Sequence, residues 1–215
     1  KQKQYDLAVW ANNRWANFIW NLRLISSDSL WVGTQAGLFW YCLSKKAGGR
    51  ITNAINKSAL IDSVSITTQF QDSHGLLWMR LGKGNGVSSY NIKEKRFVNY
   101  SGNSANAYPL RYPLDIAEDK KGNLWFVSDA SRSLVYWERK NDRFQIVPLP
   151  TALQKQAGSL DAICYDDSIL WLGSNTDGLI KLNPQSNNFR IYGHDRNLVN
   201  SHVSSIFKEN NERLW

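Results

Sequence analysis

Asp72-Ser73-His74-Gly75-Leu76-Leu77-Trp78 and Asp119-Lys120-Lys121-Gly122-Asn123-Leu124-Trp125 lie 47 residues apart and share one pattern: an acid, a glycine three positions on, and a closing Leu-Trp. Three more Leu-Trp pairs extend it, Leu30-Trp31, Leu170-Trp171 and Leu214-Trp215, so that the tryptophans recur at intervals of 47, 47, 46 and 44 residues. Glu209 stands six positions before Trp215, and Asp166 stands five before Trp171. Self-similarity at a fixed period of this size marks a stacked repeat architecture.

The pattern continues downstream of each tryptophan. Trp31-Val32-Gly33-Thr34 matches Trp171-Leu172-Gly173-Ser174, and Gly37-Leu38, Gly86-Val87 and Gly178-Leu179 come at similar distances. Phe97, Phe144 and Phe189 fall 18 or 19 residues after their tryptophans, with Tyr100, Val147 and Tyr192 three positions later. Stretches such as Val64–Phe70 and Phe189–Tyr192 are short and rich in β-branched and aromatic residues, as strands are. Turn-formers separate them, among them Asn183-Pro184-Gln185-Ser186-Asn187. Only Leu149 to Ala157 has room for a short turn of helix. Four short strands in a unit of this length predict an all-β chain of β-propeller blades, each a four-stranded antiparallel meander.

Composition narrows the function classes. The chain has 215 residues, enough for a real core, and 20% charged residues, which is too few for a disordered segment with this apolar content. No apolar run approaches the roughly 18 residues of a membrane span, and Lys1 to Asp6 lacks a signal-peptide core. Cys42 and Cys164 form no disulfide framework and have no metal-ligand spacing. His74, His194 and His202 also lack such spacing. No cofactor, metal or catalytic residue is therefore expected. Gly82-x-Gly84-x-Gly86 is read as a tight turn, because no helix comes after it. The net charge of +8 is compatible with an acidic partner. A basic stripe interleaved with stacking aromatics is absent, so no nucleic-acid partner is expected.

The motif Asp-x-x-Gly-x-Leu-Trp-x-Gly-Thr-x-x-Gly-Leu, carried at Asp72 to Trp78, Asp119 to Trp125, Trp31 to Leu38 and Trp171 to Leu179, resembles the two-component regulator propeller repeat. The Asn183-Pro184 turn and Phe189-x-x-Tyr192 resemble it as well. Arg80-Leu81 and Val127-Ser128 depart from the Gly-Thr of that repeat, and the first copy lacks the final Phe-x-x-Tyr. The resemblance implies the periplasmic sensor region of a hybrid two-component histidine kinase of the Bacteroidetes type. Such a region senses oligosaccharides and reaches the membrane only through segments absent from this chain. It also implies a partial ring of about four and a half blades from a seven-bladed propeller. The expected divisions are a lead-in at 1–17, blades at 18–58, 59–106, 107–156 and 157–198, and half a fifth blade at 199–215. The chain stops midway through that blade and reads as a fragment, whose open edge strands could pair two copies into a homodimer.

A residue found in every copy serves the copy, so the five repeat tryptophans are read as core. Asp72, Asp119, Asp166 and Glu209 are read as turn-formers that accept backbone N–H bonds. Trp10, Trp20, Trp40 and Trp137 are read as packing. Ligand-binding candidates come from two sets of loops that share one end of each blade: those after the Leu-Trp strand and those linking successive blades. They are Arg14, Trp15, Arg80, Lys83, Arg111, Tyr112, Arg132, Asn175, Asp177, His194 and Arg196. Amide, acid and arginine groups suit sugar hydroxyls, aromatic rings suit the C–H face of a sugar, and arginine grips a carboxylate or sulfate. The leading expectation is a non-enzymatic sensor fragment that recognises an oligosaccharide, with the charge favouring an acidic one. The alternatives are a glycan-active propeller hydrolase or lyase and a scaffold for dimerisation. The first of these lacks visible non-repeat carboxylates placed as an acid–base pair.

Overall fold

The computed structural model describes residues 14–52, 64–82, 86–101, 106–128, 133–193, 201–210 and 213–215. Sixteen strands form four sheets among these residues, each an antiparallel meander with its strands in chain order. The first sheet holds β1 (Ile19–Ser26), β2 (Ser29–Thr34), β3 (Gly37–Cys42) and β4 (Ala47–Arg50). The second holds β5 (Ile66–Gln71), β6 (Leu76–Leu81), β7 (Val87–Asn91) and β8 (Arg96–Tyr100). The third holds β9 (Pro113–Glu118), β10 (Leu124–Ser128), β11 (Ser133–Glu138) and β12 (Arg143–Pro148). The fourth holds β13 (Leu160–Asp166), β14 (Ile169–Ser174), β15 (Leu179–Leu182) and β16 (Phe189–Tyr192). The one α-helix among the described residues, α1 (Thr151–Gln156), lies where the sequence leaves room for it. The chain divides into two compact units, one carrying β1–β8 and the other carrying β9–β16 and the residues up to Trp215.

Each repeat tryptophan of the four sheets sits on the second strand of its meander. The turn before it explains the rest of the motif. Asp72 is buried, and its Oδ1 accepts the backbone N–H groups of His74 (3.0 Å) and Leu76 (2.8 Å). Its Oδ2 accepts the indole N–H of Trp78 at 2.9 Å. One carboxylate thus closes the hairpin and fixes the tryptophan on the strand that leaves it. Asp119 closes its hairpin in the same way, taking the N–H groups of Lys121 (2.8 Å) and Asn123 (3.0 Å). Gly75 (φ 80°) and Gly122 (φ 78°) have the left-handed backbone this turn requires, which a side chain would strain.

The fourth copy differs. Asp167 (φ 48°) and Ser168 (φ 74°) are both left-handed, so a tighter turn joins β13 to β14. That is why Asp166 stands one residue nearer its tryptophan. Asp166 is then no turn-former; it pairs with Lys208 at 2.5 Å. Glu209 accepts the Trp215 indole N–H at 2.9 Å, as Asp72 does that of Trp78, and pairs with Arg213 at 3.3 Å. Backbone bonds between Phe207 and Trp215, 2.8 Å in each direction, close the hairpin that carries them.

The closing aromatic of the repeat meets the tryptophan ring. Tyr100 stacks on Trp78 with centroids 5.4 Å apart, and Tyr192 lies 6.0 Å from Trp171. The third copy has Val147 there, and Trp125 packs instead on Tyr136 of β11 at 4.6 Å. Such ring pairs contribute about 0.5–1.5 kcal/mol beyond the area they bury. The motif glycine also has a packing reason. A Cβ at Gly173 would lie 2.3 Å from the carbonyl oxygen of Val203, so the chain after the fourth sheet runs directly against this backbone.

Within each unit the first strands of neighbouring sheets lie side by side, β1 with β5 and β9 with β13. Trp31, Leu38, Ile66, Leu77, Met79, Tyr90 and Phe97 fill the gap between sheets in the first unit. Trp125, Val127, Leu149, Leu153, Ile163, Leu172 and Leu182 belong to the core of the second. Leu22 and Leu24 on β1 are both 58% exposed, whereas Ile116 and Ile163 on β9 and β13 are 4% exposed. Asp72→Ala should cost about 2–4 kcal/mol in urea unfolding, because it strands three donors around a buried carboxylate. Asp119→Ala, whose carboxylate is less buried and does not hold its tryptophan, should cost less; equal losses would contradict this role for the acid–indole bond.

Candidate functional site

Two ends of the blades offer chemistry, and they are built differently. At the loop end of the second unit, Ser174 continues β14 into the turn Asn175-Thr176-Asp177. The Asp177 Oδ2 accepts bonds from the Gly158 N–H (2.7 Å), the Ser174 hydroxyl (3.0 Å) and the Thr176 hydroxyl (2.5 Å). Burial would raise its pKa, but these three donors outweigh it and hold the carboxyl below the usual range. Asn175 donates its backbone N–H to Ser159 (3.0 Å), and Gly178 donates to Ser201 (2.6 Å). Asp177 therefore fastens the loop to the chain entering β13, while the Asn175 side chain is exposed. Arg111 is exposed in the same unit, and Tyr112 beside it is half-buried with a left-handed φ of 51°.

In the first unit Arg14 and Trp15 begin a 3-10 turn, Arg14–Asn17. The Arg14 guanidinium lies 5.0 Å from the Trp15 ring centroid, and Phe18 lies 5.3 Å from it on a tilted ring. Trp15 is 45% exposed, Phe18 56% and Trp20 56%, so three aromatic rings stand open near this turn. Gln35 ties them to the β2–β3 turn: its N–H reaches Phe18 O at 2.9 Å, and its side-chain oxygen takes the Trp20 indole N–H at 3.0 Å. Trp20 is thus an exposed ring, contrary to the packing expectation, and Trp40 is 38% exposed. Trp137, 3% exposed and donating to Asp142 at 2.9 Å, does pack as expected. Arg80 is half-buried on β6 opposite Val87. Lys83, Arg132, His194, Arg196 and Trp10 lie outside the described residues. The described candidates fall into separate groups in the two units, and Phe18 and Trp20 join the exposed cluster although no sequence motif marks them.

The hairpin end of the second unit holds a groove of about 300 Å³. Trp125, Tyr136, Tyr165 and Pro184 line it, with Lys120 and Lys121 beside Asp119. Tyr136 donates its hydroxyl to Asp119 at 3.4 Å. Burial and then the Asp119 charge push the Tyr136 hydroxyl up to about 12, so it remains a donor. Among the described residues no group of three or more His, Cys, Asp or Glu side chains could hold a metal.

No family model matches the chain, and no curated protein matches it. Solved structures do. The extracellular domain of BT4673 from B. thetaiotaomicron, assigned in one structure to a one-component and in another to a hybrid two-component system, aligns with a TM-score of 0.68 in both, at 17% and 16% identity, over 92% of this chain and 26% of that one. The fold is that of β-propeller blades. The extracellular domain of BT3049, assigned to a hybrid two-component system of the same organism, gives 0.63 and 16% over 88% and 24%. Virginiamycin B lyase from Staphylococcus aureus gives 0.64 and 17% over 90% and 60%. This chain spans about a quarter of the length of the two sensor domains. At such identities the likeness is one of fold.

Between β9 and β13 lies a second titratable group. Asp115 accepts the N–H groups of Ile116 and Ile163, both at 2.9 Å, and so bonds one sheet to the next. Burial pushes its carboxyl up to about 6 against the pull of these two donors. An unfolded aspartate titrates near 3.9, so the folded state holds the extra proton between about pH 4 and 6. The stability this adds is complete below the unfolded value and is lost as pH rises through the folded one. Carboxyl carbon NMR should find Asp115 titrating near 6; a midpoint below 4 would overturn that burial effect.

Proposed function

We propose that the chain is a ligand-sensing part of an extracytoplasmic two-component sensor, recognising an oligosaccharide and signalling through domains beyond this chain. The observation that carries this reading is the blade fold it shares with extracellular domains assigned to hybrid two-component systems. The exposed Arg14–Trp15–Phe18 cluster supports a sugar as ligand. A pyranose ring can lay its C–H face on Trp15 while its hydroxyls or a carboxylate meet Arg14. The carboxylates near the loops support binding over turnover. Asp177 is engaged by three donors and Asp115 by two, so neither is poised as one half of an acid–base pair. Asp177 acts by positioning the loop that carries Asn175. Arg111 and Tyr112 extend the same set in the second unit, and the exposed Leu22 and Leu24 of β1 would allow pairing of two copies.

Calorimetric titration of the full chain with neutral and acidic oligosaccharides tests this reading. Binding is expected, and Trp15→Ala should weaken it by about tenfold, equivalent to about 1.4 kcal/mol. Turnover of any of these sugars would replace the sensor reading with an enzymatic one.

A further inference from the structure

The two units solve the same packing problem differently. In the first, the gap beside Trp31 is plugged by Tyr90, whose ring meets the indole edge-on at 5.7 Å and packs on Phe97 at 4.3 Å. Tyr90 pairs with Leu77, the residue just before the repeat tryptophan of its own sheet. The same register position in the fourth sheet, opposite Leu170, is Leu182. Leu182 is buried in one core with Trp125, and a groove remains toward the hairpin end, where Tyr136, Tyr165, Ser168, Pro184 and Gln185 line it beside Trp125.

The walls of this groove also differ from those of a simple packing defect. Trp125 is nine-tenths buried, yet its indole N–H has no hydrogen-bond partner among the described residues. The corresponding acid is occupied elsewhere: the Asp119 Oδ2 takes the Asn123 amide (3.3 Å) and the Tyr136 hydroxyl (3.4 Å) instead of the indole. Tyr165 stands on the opposite wall in the register position that Gln71 holds in the second sheet. At the rim, Lys120 pairs with Asp167 across the groove mouth, whereas Lys121 is exposed and makes no ion pair among the described residues. The space suits one or two sugar rings and lies at the small end of small-molecule sites.

From this arrangement we propose that the groove walled by Trp125, Tyr136 and Tyr165 is a binding site for a sugar carrying a carboxylate or sulfate, distinct from the Trp15 cluster. This rests on the oligosaccharide reading above and gives it a second site with its own charge preference. The aromatic walls take the C–H faces of the ring, and Ser168 and Gln185 meet its hydroxyls. The unpaired Lys121 ammonium takes the anionic group, an attraction that salt will screen because the lysine is exposed. Asp119 does not oppose this, because its charge is already shared among four donors, three in its own hairpin and the Tyr136 hydroxyl of β11.

The test fills the groove from its exposed wall. Gln185→Trp should occupy the groove while keeping the thermal midpoint within about 4 °C of the parent chain, because Gln185 is exposed. Titration with a uronate-containing disaccharide and its carboxyl-reduced counterpart then reads the site. The parent chain should prefer the uronate form, Gln185→Trp should lose that binding by at least about tenfold, and Trp15→Ala should retain it. Lys121→Gln, a rim change that does not touch the core, should abolish the preference between the two sugars. Uronate binding unchanged by both Gln185→Trp and Lys121→Gln overturns the groove proposal and leaves the sensor reading standing. If no sugar binds the parent chain, both fall together.

Discussion

Everything in this protein hangs on an indole ring on the second strand of each sheet. In the second sheet it is held from three directions. Asp72 grips its N–H, Tyr100 stacks on its face, and the leucine before it pairs into the next strand. A four-stranded meander cannot bury both faces by itself. The tryptophan supplies enough apolar surface to make stacking on a neighbouring sheet favourable, and in the second sheet the acid fixes its direction. Most other motif residues serve this arrangement. Gly75 and Gly122 let the acid's turn close, and Gly173 lets the chain near Val203 approach the backbone.

The variations on that arrangement carry more chemistry than its regular part. Trp78 is clipped by its acid, while Trp31, Trp125 and Trp171 have indole N–H groups without partners among the described residues. At Trp31 the surrounding space is filled by Tyr90, and at Trp171 the Lys181 ammonium sits over the ring at 5.3 Å. Beside Trp125 the space stays open. Tyr136 and Tyr165 wall that space instead of filling it. The loop end shows the complementary economy: Asp177 commits its charge to holding a turn and leaves the Asn175 side chain exposed beside it.

The fold was legible in the sequence because its determinants are local and repeated. Five Leu-Trp pairs, the acid six residues before Trp78 and Trp125, and the closing Phe-x-x-Tyr lie within one copy each, and each copy repeats the message. Even the shortened spacing at Asp166 was visible, though its cause, a tighter turn at Asp167-Ser168, emerged only in the backbone angles. The site was less legible. Trp20 and Trp15 look alike in the sequence, and reading Trp20 as packing failed because its exposure depends on which surfaces face it. The part Asp177 takes in holding its loop was hidden as well, because nothing in its neighbours in sequence reveals that Gly158, 19 residues earlier, donates to it.

Sequence alone determined that this is an all-β chain of repeated four-stranded blades, with the repeat tryptophans in the core and an acid before the Leu-Trp strand that closes the turn at Asp72 and Asp119. Those facts rest on period, turn chemistry and alternation, which act over a few residues. Only the tertiary structure decided where space remains between blades and which polar groups are already engaged. Both depend on side chains brought together across sheets, such as Trp125 with Tyr165 or Asp115 with Ile163, and no local pattern encodes that distance.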